Sequence, residues 1–335
     1  MTHAAQVADT VLACPACGVA VPEGDELVCA SCGREYGAVA GVPDLRLDPD
    51  RWQGDLSRAR RLDEVRNAHE FEGLLREYWR GSDRATELVD RFVAGDLAGA
   101  DKAEPLVAAV EVHRGRPLGP GDRVLEVGCG TGAFSLACAR RGAAVVASDL
   151  SLQCLVLAGK RFEEAGADVR LVCSNAEHPP FEPGSFDVVA AVDVIEHAGD
   201  QAGFLRGCAR VLAPGGVLFL TTPNRFSLGL EPHVRLWGVG YLPRGLARRY
   251  VEIVRKSPYE HVRLLSARRL RRLLADEGLN GEIVVPEIPA ATQRLYHGIE
   301  LRLVRTYNRV RRIGLARRAL VAVGPFFHVF AARSA

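Results

Sequence analysis

From residue 119 onward the chain alternates between short apolar runs and longer stretches with apolar positions at helical spacing. The runs fall at 123–127 (RVLEV), 144–148 (AVVAS), 169–173 (VRLVC), 186–192 (FDVVAAV) and 216–221 (GVLFLT). Each has the length of a buried strand, so this part predicts a βαβ succession around a mainly parallel sheet. After TTPN (221–224) the pattern changes. Residues 225–258 are rich in Arg, Gly, Pro and aromatics and read as a cap inserted over the strand ends. A helix over 266–277, a sixth strand GEIVVPEI (281–288) and a seventh, PFFHVFAAR (325–333), complete the count and make 289–320 an insertion. Upstream, from Asp48 to Leu118, apolar positions such as Leu62, Val65, Leu74, Tyr78, Leu88 and Phe92 recur among arginines and acids, which predicts two or three helices. RPLGPGD (116–122) ends them. The expected organisation is thus a small N-terminal segment (1–47), a helical linker or lid (48–118) and an α/β domain (119–335) with insertions at 225–258 and 289–320.

Composition narrows this only slightly. A hydrophobic fraction of 48% and a charged fraction of 25% over 335 residues are those of a globular protein with one main core and an appendage or two. The net charge of +2 favours neither a polyanionic partner nor its exclusion. No stretch reaches the roughly 18 apolar residues of a membrane span. The best, ALVAVGPFFHVFAA (319–332), is interrupted by Pro325 and His328. MTHAAQVADTVLACPACG lacks the basic start and apolar centre of a signal peptide, so a cytoplasmic location is expected. Five cysteines (Cys129, Cys138, Cys154, Cys173, Cys208) are scattered through the sheet segment as small hydrophobes, which fits a reducing compartment.

The candidate chemistry begins where the first strand breaks into glycine. In VLEVGCGTG (124–132) Gly128, Gly130 and Gly132 let the backbone turn sharply and approach a ligand, and Glu126 lies just before them. The second strand ends in Asp149, placed to accept hydrogen bonds from both hydroxyls of a ribose. The glycine spacing is not that of a dinucleotide site, and Glu126 would repel phosphate; a cationic or zwitterionic nucleoside suits the turn better. VLEVGCGTG, SDLS (148–151), NAEHPPFEPGSFDVV (175–189), DVIEH (193–197) and LAPGG (212–216) together resemble the successive motifs of class I S-adenosylmethionine-dependent methyltransferases over about 119–222. That resemblance implies a Rossmann-like seven-stranded sheet whose last strand is antiparallel. It implies S-adenosyl-L-methionine as cofactor, held by Glu126, Gly128, Cys129, Gly130, Gly132, Asp149, Leu150, Asn175, Ala176 and Asp193. Asn175 stands where such families often carry Asp. In related enzymes the segment before the first strand often forms a lid, a role open to Tyr78 and Trp79, which serve equally as core.

The remaining four cysteines form two knuckles, Cys14-Pro-Ala-Cys17 and Cys29-Ala-Ser-Cys32, with 11 residues between them. Two such turns can offer four thiolates to zinc, and a segment this small needs the metal for its folding energy. With GVPDL (41–45) the segment resembles the zinc ribbons attached to, or acting as partners of, methyltransferases. Removing Cys14 and Cys17 should unfold it while the sheet domain still binds cofactor.

Methyl transfer from a sulfonium needs alignment of donor and acceptor and, for some acceptors, removal of a proton. Asp193 and His197 in DVIEH are the candidates for catalysis, Asp193 facing the methionine moiety or the acceptor and His197 acting as base; Glu196 and His197 serve equally as a helix cap. Asp193, Glu196 and His197, at i, i+3 and i+4, also share one face of a helix starting there and resemble the E-x-x-E-H of metal-dependent quinone-pathway and small-RNA methyltransferases, with His261 a possible fourth ligand. His233, Tyr241, Tyr259 and His261 in the cap are candidate substrate contacts. In 289–320 eight arginines stand against Glu300 alone. Arg294, Arg302, Arg305, Arg309 and Arg312 form one helical stripe and Leu295, Ile299, Leu303, Tyr307 and Val310 another, a pattern of either a packed helix or one laid on an anionic membrane. The sequence reading is therefore a methyltransferase acting on oxygen or nitrogen of a small-molecule or lipid-linked acceptor. The alternative is an RNA methyltransferase using its zinc ribbon for recognition, against which the all-cysteine ligand set and the absence of a dense basic patch in the ribbon both speak.

Overall fold

The computed structural model of the protein describes residues 11–22, 27–80, 86–256, 258–294 and 297–333. Two compact units divide the chain, one of Met1–Ala190 with Arg210–Val217, the other of Ala191–Ala209 with Leu218–Ala335.

In the first unit the two cysteine knuckles lead into β1 (Leu27–Val28), β2 (Glu35–Val39) and β3 (Val42–Asp44). β2 and β3 are joined through Ala40 and Gly41, both at positive φ, the conformation of a tight hairpin turn. Helices α1 (Gln53–Arg66), α2 (Phe71–Trp79), α3 (Thr86–Leu97) and α4 (Gly99–Arg114) follow, four among the described residues where the sequence pattern suggested two or three. Gly115 ends α4 in the left-handed region. β4 (Arg123–Val127), α5 (Ala133–Ala139), β5 (Ala144–Asp149), α6 (Leu152–Glu164), β6 (Val169–Cys173) and β7 (Phe186–Val192) then alternate as expected. The strand order within this unit is β1-β2-β3-β6-β5-β4-β7. β4 to β7 pair in parallel, with Val124 opposite Val145 and Val188. The sheet does not stop at β6. β3 adds to it in parallel, Asp44 opposite Cys173, and Leu45 N–H continues the ladder to Cys173 O at 2.8 Å. Edge strands left open are a hazard, and here the cysteine segment covers one. Apolar faces of α1, α2 and α6 supply Leu62, Leu74, Leu75, Leu155 and Phe162 to one buried cluster.

The second unit holds most of the helix Gln201–Val211 (α7), the second half of β8 (Leu212–Pro223), α8 (Arg244–Arg255), α9 (Ala267–Asp276), β9 (Leu279–Val284), a helical turn at Ala290–Gln293, α10 (Gly298–Val310), α11 (Gly314–Val323) and β10 (Phe326–Arg333). β10 lies antiparallel to both β8 and β9, as the resemblance implied, with Phe326 opposite Pro223 and Val329 opposite Ile283. The seven strands β4–β10 are thus those expected. Their limits differ in two places. β8 starts at Leu212 rather than 216. β9 leaves the sheet after Val284, although the apolar run continues to 288, because Pro286 has no N–H and the Ile288 N–H and C=O are both taken by the Asn308 amide. Leu236, Val239, Ala247 and Val251 of the 225–258 cap and Tyr259 just after it form their own buried cluster. Among the described residues no helix is long and apolar enough to cross a membrane.

Candidate functional site

The glycine turn after β4 is held by two carboxylates in different ways. Glu126 is buried, and its Oε2 accepts from Ser135 N–H at 2.9 Å and from the Ser135 hydroxyl at 2.5 Å. It therefore pins the start of α5, and burial pushes its carboxyl up to about 8. Asp149, half-buried at the end of β5, accepts from Gly130 N–H with Oδ2 and from Ser151 N–H with Oδ1, both at 2.8 Å. A carboxylate has about four lone-pair sites, so Asp149 retains acceptor capacity for a diol. Gly128, Gly130 and Gly132 all have positive φ. At Gly130 a Cβ would meet no protein atom within 4 Å, which leaves space over the turn for a ligand. At Gly132 it would strike the Phe162 ring at 2.4 Å, so this glycine serves close packing of the turn on α6. Cys129 is buried and its thiol contacts Gly130 O. Ser174 N–H bonds to Asp149 O, bringing the Asn175-Ala176 segment beside the end of β5, and Asn175 Oδ1 accepts from Glu177 N–H at 2.9 Å.

Residues that the sequence reading passed over complete this side. Thr131 donates to Asp96 of α3 at 3.1 Å, and Arg161 reaches both the Thr131 hydroxyl and Asp96 O while stacking on the Phe71 ring at 4.3 Å. Asp55 of α1 faces the start of α6, and Arg46, just after β3, donates to Leu150 O at 3.0 Å. No sequence signal marks these residues, since each partner lies tens of residues away. Tyr78 is half-buried, and burial with the neighbouring Cys154, Asp55, Asp96 and Asp149 pushes its phenol up to about 12. Trp79 stacks on Phe92 with centroids 4.9 Å apart.

In the same unit Cys14, Cys17, Cys29 and Cys32 gather with all sulfurs within 4.8 Å of one another, at 3.7 Å for Cys14–Cys32 and 3.4 Å for Cys17–Cys29. A zinc tetrahedron with Zn–S arms of about 2.3 Å has S···S edges of about 3.8 Å, so the four thiols fit it. The Cys14 thiol, which burial would push up, is drawn down to about 6 by the Tyr36 hydroxyl at 3.0 Å and by backbone N–H groups.

Asp193, read from the sequence as both cofactor-binding and catalytic, belongs to the second unit. It is exposed and sits at φ 56°, a strained conformation for a residue with a side chain. Thr221 holds it there. Asp193 N–H bonds to the Thr221 carbonyl and hydroxyl oxygens, and that hydroxyl donates to Asp193 Oδ1 at 2.7 Å. Ile195–His197 is a three-residue 3-10 turn, so the shared α-helical face expected for Asp193, Glu196 and His197 does not form.

Another trio gathers instead. Glu196, fully buried, His197 and His233 bring one ligand atom each within 4.8 Å of the others. His197 Nε2 and His233 Nε2 face each other at 3.2 Å, and Glu196 Oε1 lies 3.9 Å from His233 Nε2. Glu196 Oε2 accepts from the Thr222 hydroxyl at 3.0 Å, whereas Oε1 is buried with no hydrogen-bond partner. Burial and the nearby Asp193 push the Glu196 carboxyl up to about 7. Glu231, buried in the cap, takes His233 Nδ1 at 2.5 Å and so turns Nε2 toward the trio. Burial presses His233 down, but Glu231 outweighs it and holds the imidazole above its ordinary value; burial and His233 hold His197 below. His261, considered as a fourth ligand, is exposed and not among the three. The Tyr241 hydroxyl is committed to Phe226 O, and Tyr259 is buried in the cap.

In the 289–320 insertion Leu295 lies outside the described residues. Val304 and Asn308 are buried, while Ile299 and Leu303 are 74% and 64% exposed among the exposed Arg302, Arg305 and Arg309. The single amphipathic helix expected is two, broken before Gly314.

The family profile described as a methyltransferase domain matches residues 125–220. The chain is 34% identical over 172 residues to the ubiquinone biosynthesis O-methyltransferase of Idiomarina loihiensis, covering 50% of this chain and 67% of that protein. It is 40% identical over 146 residues to that of Xanthomonas campestris pv. campestris, covering 41% and 59%. The chain thus spans about three fifths to two thirds of the length of these two relatives. Haemonchus contortus phosphoethanolamine N-methyltransferase 2, solved with S-adenosyl-L-methionine, aligns with a TM-score of 0.45 at 22% identity, over 68% of this chain and 51% of that one.

Proposed function

Because the chain belongs to the class I S-adenosylmethionine-dependent methyltransferases, we propose that it transfers the cofactor's methyl group to an oxygen of a small-molecule or lipid-linked acceptor, a hydroxylated ring being the chemistry its residues suit. The observation that carries this reading is Glu196 Oε1, buried with no hydrogen-bond donor and 3.9 Å from His233 Nε2, which in turn faces His197 Nε2. A buried acceptor without a donor is costly unless something else meets it. Relatives named as O-methyltransferases favour oxygen over nitrogen, and an RNA acceptor is not favoured.

On the cofactor side, Asp149 takes the ribose hydroxyls, the backbone at Gly128 and Gly130 admits the methionine part while Gly132 packs the turn on α6, and Asn175-Ala176 lies by the adenine. Leu150 and Cys129 line the same turn, and Glu126 acts through Ser135. Transfer breaks the sulfur–methyl bond and forms a methyl–oxygen bond, the sulfur leaving as a neutral thioether. A phenolic acceptor, with a pKa of about 10, must lose its proton for this. Glu196, His197 and His233 would hold a divalent cation, which when bound lowers the pKa of acceptor hydroxyls. The exposed Asp193, fixed by Thr221, then takes the proton. In the chain without the ion, His197 Nε2 is the base; burial and the neighbouring His233 hold its pKa below the ordinary value. At the other end of the chain Cys14, Cys17, Cys29 and Cys32 hold a structural zinc.

The test supplies methyl-labelled cofactor with three acceptors, a ring with two adjacent hydroxyls, a ring with one, and a primary amine. Label in methyl ethers is expected, greatest for the adjacent pair; label in the amine alone overturns the reading. Turnover that survives chelation with the cysteine-bound zinc retained assigns the proton to His197 instead of Asp193.

Exposed Ile299 and Leu303 among arginines support one further feature, contact of α10 with an anionic membrane from which an amphiphilic acceptor is taken. Vesicles with anionic lipid should then carry the protein on flotation and neutral ones should not, and charge reversal at Arg302, Arg305 and Arg309 should abolish the difference.

A further inference from the structure

Arg46 is an arginine with almost no surface, its side chain 1% exposed, set immediately after β3. All three guanidinium nitrogens have partners. Nε and Nη2 grip Asp44 Oδ1 and Oδ2 at 2.7 and 2.6 Å as a two-pronged fork, and Nη1 reaches Asp55 Oδ2 at 2.9 Å and Leu150 O at 3.0 Å. Asp55 is the hub on the other side. Its Oδ1 accepts from the Ser151 hydroxyl and the Gln153 amide, and its Oδ2 from Leu152 N–H as well as Arg46, each at 2.9 Å. Burial would raise the Asp55 carboxyl, yet these four donors hold it below the usual range.

The two residues thus fix a carbonyl, a hydroxyl, an N–H and an amide within 150–153, the residues directly after Asp149. Asp149 depends on that segment, because its Oδ1 is oriented by Ser151 N–H. Ser151 also caps α6, its hydroxyl accepting from Cys154 N–H while donating to Asp55. Arg46 is 104 residues from Leu150 and Asp55 is 96 from Ser151, so the tie is purely tertiary.

We propose that Arg46 and Asp55 are positioning residues for cofactor binding: the Asp44–Arg46–Asp55 strut sets the orientation of the ribose-binding carboxylate Asp149, and through it the cysteine ribbon's last strand governs affinity for the cofactor. This rests on the reading of Asp149 as the ribose acceptor. Buried, charge-assisted bonds are directional and costly to leave unmade. A ligand that needs Asp149 in one orientation is therefore sensitive to the strut, whereas the chemistry at the acceptor is not.

Calorimetric titration of the full chain with S-adenosylhomocysteine, paired with steady-state kinetics in S-adenosylmethionine, tests this. Asp55→Asn keeps the shape but turns one acceptor oxygen into a donor facing donors. It should weaken binding about tenfold and raise the cofactor KM equally, with kcat at saturation within about twofold of wild type. Arg46→Ala should match it, and Arg46→Lys, which can restore one bond to Asp55 or Leu150, should recover part of the loss. Asp149→Ala sets the scale, and Asp122→Asn, which removes a buried carboxylate bonded to Arg114 and Arg116 instead, should bind normally. If the wild type does not bind, or Asp149→Ala binds like it, the cofactor reading itself fails. If Asp149→Ala loses binding while folded Asp55→Asn and Arg46→Ala keep it, the strut proposal is overturned. It is overturned too if Asp122→Asn loses as much as they do. Should Asp55→Asn not fold, Arg46→Lys decides alone: wild-type affinity overturns the proposal and an intermediate loss supports it.

Discussion

Two clusters of side chains that could hold a metal ion are assembled along this chain in different ways. In the ribbon all four sulfurs come from residues 14–32, and each knuckle closes on itself, Gly18 N–H bonding Cys14 O and Gly33 N–H bonding Cys29 O. In the second unit Glu196 and His197 are neighbours, but His233 comes from the cap, 36 residues after His197, and is aimed by Glu231. Four matched thiolates complete a tetrahedron and leave no position for a substrate, whereas three mixed ligands leave some open. The first arrangement suits folding and the second suits chemistry.

The sharpest way to break this contrast is Cys14→Ser with Cys17→Ser. If the ribbon's metal is structural, the variant should lose its one zinc per chain and, with a binding free energy of roughly 10–16 kcal/mol removed, unfold the ribbon. The rest of the chain should stay folded and still bind cofactor, more weakly. Elemental analysis and amide exchange report both halves, and a ribbon that keeps its protection without zinc would place it in the same class as the second cluster.

A smaller effect compares Glu196, with its orphaned oxygen, against a carboxylate that is fully met. Asp122 accepts from Arg114, Arg116 and Gly119 N–H, and those partners hold its carboxyl, against burial, down to about 2. Asp122→Asn should cost about 3 kcal/mol at pH 7, as breaking a buried ion pair does. Because the folded pKa is depressed, this stability is present above the unfolded value of about 4 and is lost as the pH falls toward 2. Urea midpoints of wild type and variant should therefore differ at pH 7 and converge by about pH 2. A gap that persists at low pH would show that packing, not ionisation, accounts for it.

The last comparison is within the second cluster. Glu196→Gln should lower kcat about 100-fold with cofactor affinity intact, while His261→Ala, outside the trio, should stay within about threefold of wild type. Comparable losses in the two would return His261 to the site.

The glycine turn, the acid ending the second strand and the two cysteine knuckles were legible because each is local: a turn needs its glycines, and a knuckle its thiols, at fixed offsets within a few residues. Strand positions were legible for the same reason, since apolar runs of strand length show wherever a sheet is buried on both faces. The limit of β9 was not, because it depends on Pro286 and on the Asn308 amide from another helix. Nor was the face of α10, where Leu303 looks like core by spacing yet is exposed, while polar Asn308 is buried to satisfy a backbone. His233 was visible only as one cap histidine among others, and what distinguishes it is the Glu231 carboxylate at its Nδ1. Spacing placed Asp193, Glu196 and His197 on one helical face, but the backbone there is a 3-10 turn entered through a left-handed aspartate. Arg46 and Asp55 gave no signal at all, being ordinary charges in a charged stretch until β3 pairs with β6 and brings them to the residues after Asp149. Sequence alone thus determined where the strands β4–β10 form and which cofactor chemistry they serve, because short-range geometry and burial decide both. Which charges meet was decided only by the tertiary structure, since a hydrogen bond depends on ångströms in space that spacing along the chain does not encode.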